Sequence, residues 1–187
     1  IVLSEANRLE KLTSGLRELN SWNSTGPELL FEEFNMENVI ASTVETFQGS
    51  CEKKHIELII QFPQKHYNVC ADKGKIEQVL YNLLDNAIEA CVKLPAGERE
   101  IYAQLLLEDT LFLSFRNTSP PVEIVNSYIA TTKKPPDLHG FGLQNVKTAL
   151  KKYDSFYDMA YEDGYFAFTI EMENDLPSAT KNSSFAT

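Results

Sequence analysis

The chain has 187 residues, 43% of them hydrophobic, enough for one domain with a substantial core and an appendage. Its 17 basic and 27 acidic side chains leave a net charge of −10, which argues against a binder of nucleic acid or anionic membranes, since no basic surplus exists to neutralise phosphates. No stretch reaches transmembrane length, no signal peptide is visible, and Cys51, Cys70 and Cys91 lack Cys-x-x-Cys spacing, so free thiols in a reducing compartment fit better than a zinc site.

Residues 1 to about 21 form an expected helix with a seam at Val2, Leu9 and Leu16 and at Leu12 and Leu19, broken by Glu5. It either packs on its own domain or is the end of a dimerisation helix, and the heptad spacing favours the second. The start at Ile1, in mid-helix and without Met, reads as a fragment of something longer. Ser21 to Leu29, with Trp22, Gly26 and Pro27, reads as a hinge. Asn35 is the expected cap of a helix whose Met36, Val39, Ile40, Thr43, Val44, Phe47 and Cys51 face inward. Ile56–Phe62 and Tyr67–Ala71 read as strands.

The next helix carries the most information. Ile76, Val79, Leu80, Leu83, Leu84, Ala87, Ile88 and Cys91 fall on one face, and Gln78, Asn82, Asp85, Asn86 and Glu89 on another. Asn82 and Asn86 stand one turn apart and can address one ligand. Asn is a mediocre helix former, so a paired-Asn stripe is unusual for a merely solvated face. An amide oxygen is a good hard ligand for a magnesium ion that phosphates also hold. The plain alternative is two surface or capping residues.

Glu100–Leu107 and Thr110–Arg116 then read as a hairpin-like pair of strands. Asn117 to Leu138, with four prolines and with Lys133 and Lys134, reads as a long loop, which in a compact domain is more often functional than idle. Residues 139 to 146 read His-Gly-Phe-Gly-Leu-Gln-Asn-Val. Gly140 and Gly142 open a helix, where glycines let a phosphate approach free backbone amides. Phe156–Tyr161 and Tyr165–Met172 flank Glu162-Asp163-Gly164, a hairpin turn signal. Residues 174 to 187 read as a polar tail. The expected organisation is therefore 1–25 helix and hinge, 26–173 one domain, and 174–187 tail.

Together these stretches resemble a known family. Asn82-Leu-Leu-Asp-Asn86-Ala is similar to the N box of histidine kinases and the wider GHKL ATP-binding superfamily. Gly140-Phe-Gly-Leu143 is similar to its G2 box, and Thr131-Thr132-Lys133 to a sequence in the ATP lid of many such kinases. The implied fold is α+β: a two-layer sandwich with a mixed, mainly antiparallel sheet and helices on one face, and the periodicities fit such a domain independently. The resemblance implies ATP and Mg2+ as cofactors, with Asn86 as metal ligand and Asn82 beside the phosphates. It also implies nucleotide contacts from Lys133, His139, Gly140, Gly142 and Leu143. Lys134 is equally readable as a solvated loop charge, and His139 as a loop filler.

The usual Asp-x-Gly-x-Gly of the G1 box is absent; the chain reads Asn117-Thr-Ser-Pro-Pro instead. A subgroup resembling quorum- and peptide-sensing kinases uses Asn there, whose carbonyl can accept from the adenine amino group; the alternative is that Asn117 only starts a turn. Related enzymes that hydrolyse ATP or phosphorylate serine usually carry a Glu where Asn82 stands. An amide cannot take a proton at neutral pH, so Asn82 points to transfer onto a nucleophile activated elsewhere, such as a histidine. None of His55, His66 and His139 lies in an acceptor setting, so the acceptor is expected on dimerisation helices before Ile1. By resemblance this chain would be the cytoplasmic part of a larger, often membrane-anchored bacterial receptor, homodimeric in full length, with a response regulator as partner, and no nucleic acid. The competing readings are a degenerate interaction module, favoured by the missing G1 glycines, and a GHKL serine kinase or ATPase.

Overall fold

A computed structural model describes residues 29–62, 67–125, 128–129, 141–153 and 155–174. The chain divides into two units, Ile1–Leu30 and Phe31–Thr187, and every described element belongs to the second. The expected helix at 1 to 21, nearly all of the hinge, and the tail beyond 174 lie outside the described residues.

The first element, strand β1 (Phe31–Asn35), has no counterpart in the sequence reading. It pairs antiparallel with β3 (Asn68–Asp72), Phe31 opposite Asp72 and Asn35 opposite Asn68. Phe31, Glu32 and Glu33 are all exposed, so no apolar alternation marks the strand. Asn35 does cap helix α1 (Met36–Lys53): its side chain accepts from the Asn38 N–H at 3.2 Å. Met36, Val39, Ile40, Thr43, Phe47 and Cys51 form the buried stripe, as the spacing required.

After β2 (Glu57–Gln61) and β3 comes helix α2 (Lys73–Cys91), capped by the Asp72 carboxylate, which accepts from the Lys75 N–H at 3.0 Å. Every apolar position predicted for its inner face, from Ile76 to Cys91, is buried. Strands β4 (Glu100–Leu107) and β5 (Thr110–Thr118) form the expected hairpin. So do β8 (Ser155–Glu162) and β9 (Tyr165–Glu173), turning at Asp163 (φ 50°) and Gly164 (φ 83°), two successive positive-φ positions of the kind tight hairpins demand. The expected loop after β5 contains a short pair, β6 (Ile124–Val125) with β7 (Tyr128–Ile129). Helix α3 covers Phe141–Leu150.

The main sheet runs β2-β4-β5-β9-β8. Only β2 and β4 are parallel, because β3 and α2 intervene between them as a crossover; the other neighbours are antiparallel. One face carries Ile101, Ala103 and Leu105 of β4, Leu111, Leu113 and Phe115 of β5, and Phe168, Ile170 and Met172 of β9, all buried. The helices pack on this face, α1 against β2, α2 against β4 and β5, and α3 against β8. This is the two-layer α+β sandwich expected from the sequence. The end of the domain differs by one residue: Asn174, assigned to the tail, is buried. Its Oδ1 accepts from the Cys70 N–H at 3.3 Å, and its Nδ2 donates to the Asn68 carbonyl at 3.1 Å, tying β3 to the end of β9.

Candidate functional site

Helices α2 and α3 pack against each other, and their contact joins the two sequence stretches singled out above. The Asn86 side chain is half-buried, and its Nδ2 donates to the Asn82 carbonyl one turn earlier at 2.6 Å. That bond fixes which end of the amide is committed and leaves Oδ1 as the uncommitted oxygen. Gly142, the second residue of α3, lies directly on this amide. A Cβ at position 142 would overlap Asn86 Nδ2 and lie 3.2 Å from both Cγ and Oδ1. Gly142 has no positive φ, so glycine is needed here for room and not for backbone conformation. Asn82 shares the α2 face with Asn86; it is half-buried, and its amide has no hydrogen-bond partner among the described residues.

Asn117 occupies a different kind of position. In β5 the helix-facing row is Leu111, Leu113, Phe115 and then Asn117, so a polar residue ends an apolar row. Asn117 is 4% exposed; its Nδ2 donates to the Thr118 carbonyl at 2.9 Å, leaving its oxygen as the acceptor end. Register places Ile101 of β4 on one side of it and Phe166 of β9 on the other, with Tyr161 of β8 beyond Phe166. Phe166 and Tyr161 were not singled out from the sequence, although the period-two alternation through Phe168, Ile170 and Met172 assigns Phe166 to this face. The Tyr161 hydroxyl donates to the Ser119 carbonyl at 3.3 Å, holding the chain as it leaves β5.

Cys91 fastens the end of α2 to this corner, with Sγ 3.4 Å from the Thr118 carbonyl oxygen and 3.5 Å from that of Glu100. Asn86 is five residues earlier, about 7.5 Å along the helix axis. Asn82 and Asn86 therefore lie on the helix whose end is fastened at the corner that holds Asn117. Burial pushes the Cys91 thiol above its ordinary range, as it does that of Cys51, so neither is an activated nucleophile. Leu143 is half-buried and packs on the core. Lys133, Lys134, His139, Gly140, Thr131, Thr132 and His66 lie outside the described residues. His55 is exposed, with a φ of 52° in the turn between α1 and β2.

Among the described residues no group of three or more His, Cys, Asp or Glu is placed to hold a metal, and no helix is long and apolar enough to cross a membrane. An open depression of about 540 Å³ lies by His55, Glu57, Gly97, Arg99 and Glu100, and shares no residue with the Asn82–Asn86–Gly142 set. Its Arg99 is engaged internally, donating to the Leu94 and Lys54 carbonyls at 2.8 and 2.6 Å.

With this geometry in place, comparison with known proteins identifies the family. The family model described as "GHKL domain" matches residues 73–173, more than half of the chain, from the first residue of α2 to the last of β9. The chain belongs to the GHKL domain family. It is 25% identical over 117 residues to the sensor histidine kinase MtrB of Mycobacterium tuberculosis, covering 63% of this chain. The chain spans about a fifth of the length of that relative, 20%. Among solved structures, the catalytic domain of histidine kinase ThkA superposes with a TM-score of 0.66 at 23% identity, covering 78% of this chain and 96% of the other. The Acinetobacter baumannii histidine kinase AdeS gives a TM-score of 0.73 at 21% identity, covering 93% and 82%. A ThkA structure in complex with the response regulator TrrA gives 0.71 at 23%, covering 90% and 49%. In this GHKL domain, α2 carries Asn82 and Asn86, and the Gly142 end of α3 lies on Asn86.

Proposed function

We propose that this GHKL domain binds ATP with Mg2+ and, as the catalytic part of a longer sensor histidine kinase, directs the γ-phosphate onto a histidine carried on a dimerisation helix. The observation that supports the reading is the contact of Gly142 with Asn86, which sets a residue of each sequence stretch side by side. The MtrB similarity and the ThkA–TrrA neighbour support the kinase setting and a response regulator as partner.

The donor set fits a phosphate-held magnesium ion. One oriented amide oxygen, with no cage of carboxylates among the described residues, suits a metal that takes most of its ligands from phosphates and water. Mg2+, when bound, would neutralise phosphate charge and help align the transferring group. Asn86 Oδ1 is the proposed metal ligand and Asn82 the proposed phosphate neighbour. Backbone amides at the start of α3 would receive phosphate oxygens. Asn117 Oδ1 would accept from the adenine amino group, between Ile101 and Phe166. Lys133, His139, Gly140 and Leu143 would complete the enclosure.

Asn82 supplies no general base, so the domain would position and neutralise while the acceptor activates itself. His55, in its exposed turn, is not proposed as that acceptor. The whole protein would act as a homodimer, with this domain on the cytoplasmic side. Calorimetry with ATP, with and without magnesium, on this chain and on Asn86→Ala, tests the reading. Magnesium-dependent binding that is lost in the variant is expected. Absence of binding by the unaltered chain at millimolar ATP would replace the reading by an interaction module, and phosphate appearing on a serine substrate would replace it by a serine kinase.

A further inference from the structure

Tyr153 lies just past the end of α3, and its side chain joins three elements. Its hydroxyl accepts from the Asp72 N–H at 3.2 Å and donates to the Asp72 carbonyl at 3.4 Å. Asp72 is also the residue whose carboxylate caps α2. The Tyr153 ring meets Phe31 edge-on, centroids 6.0 Å apart and planes at 72°. Phe31 in turn is the strand partner of Asp72 and the first residue of the second unit.

These contacts bear on the site because α3 runs back along α2. Gly142, near the start of α3, lies at Asn86, and Tyr153, beyond its end, lies at Asp72. Between the two anchors α2 advances about 21 Å. At the Gly142 anchor there is no slack, since not even a methyl group fits, so a small slide or tilt of α3 must change the Asn86 amide. The other anchor therefore sets the alignment. It is closed by the Tyr153 hydroxyl on one residue's backbone and by the Tyr153 ring, which packs on the core and against Phe31, itself 50% exposed.

We infer that Tyr153 is a positioning residue that ties the first strand of the domain to the Asn86–Gly142 contact, so that displacing Phe31 loosens the nucleotide site. The last step rests on the nucleotide reading; the mechanical tie does not.

The experiment is amide hydrogen exchange on the nucleotide-free 187-residue chain, followed by calorimetry with Mg–ATP. Tyr153→Phe removes the hydroxyl and keeps the ring, Phe31→Ala removes the ring contact, and Phe31→Trp restores one. Both Tyr153→Phe and Phe31→Ala are expected to speed exchange at least about fivefold in α3 and the first turn of α2, with β4, β5 and β9 unchanged. The double variant should do no more than the larger single effect, because the two changes act through one junction. Mg–ATP should bind about threefold or more weakly in each single variant, and Phe31→Trp should recover both readouts. Exchange in α3 within twofold of the parent chain in Phe31→Ala would overturn the tie, as would acceleration spread evenly over the sheet. A parent chain that fails to bind Mg–ATP while the exchange pattern holds would sink the nucleotide step and leave the mechanical tie standing.

Discussion

Gly142→Ala separates binding from stability in a way the geometry makes quantitative. The added methyl collides with the Asn86 amide, with Cγ and Oδ1 only 3.2 Å from the new Cβ. Either α3 backs away or Asn86 swings out and gives up its 2.6 Å bond to the Asn82 carbonyl. Backing away is an overpacking cost of about 1–3 kcal/mol. Swinging out costs about 1 kcal/mol for the hydrogen bond, and Asn86 is only half-buried, so this route is the cheaper. Replacing glycine by alanine in a helix returns up to about 1 kcal/mol, since position 142 has no positive φ to strain. The net loss of stability should therefore be small, roughly 0–1 kcal/mol. Binding should suffer far more, because the displaced amide is the proposed metal ligand: Mg–ATP affinity should fall at least about tenfold, or 1.4 kcal/mol. Urea unfolding and calorimetry on the same preparation read the two quantities. Gly74→Ala is the control, since its Cβ would meet only Asp72 Oδ1 at an ordinary 3.6 Å, and it should leave binding unchanged. Mg–ATP affinity within twofold of the parent in Gly142→Ala would refute the argument that this contact shapes the site.

Asn117→Ala removes one buried hydrogen bond, to the Thr118 carbonyl, and should cost about 1 kcal/mol in urea unfolding while weakening ATP at least about tenfold. Unaltered ATP affinity in competition with a base-free triphosphate would remove Asn117 from the adenine site. Burial pushes the Tyr153 phenol up to about 12 from its ordinary 10.0. A folded-state value above the unfolded one means that the neutral phenol favours the fold below pH 10, and that this contribution is lost as pH rises from 10 towards 12. The parent chain should therefore lose stability more steeply than Tyr153→Phe across that window. Tyr165, raised to about 12 chiefly by donating to the Glu100 carboxylate, is present in both chains and cancels. Parallel pH profiles of the two urea midpoints would show that the Tyr153 environment is not the buried one described.

Much of this molecule is legible locally. The inner stripe of α2 from Ile76 to Cys91 is a period of 3.6 written into one continuous segment, and each of its positions is buried. The caps at Asn35 and Asp72 act on amides three residues away, and the turn at Asp163 and Gly164 needs only its own dihedrals. Asn82 and Asn86 stand out because helix surfaces seldom carry paired asparagine, and the glycine stretch because its spacing invites phosphate.

What tertiary structure decided are the meetings between segments far apart in sequence. Strand β1 has three exposed residues and exists because β3 offers it a backbone partner. Asn174 looks like any polar residue of a terminal segment until β3 presents it with an N–H and a carbonyl. Asn117 is a turn former by composition; the register of β4, β5 and β9 makes it the polar end of an apolar row. Gly142 is a permissive residue in sequence and an obligatory one only against Asn86, and Tyr153 becomes a junction only when Asp72 and Phe31 close on it. Periodicity records which face of a segment is apolar because that follows from one residue's distance to the next. Which segment meets that face depends on chain closure over many residues, and only the packed domain resolves it.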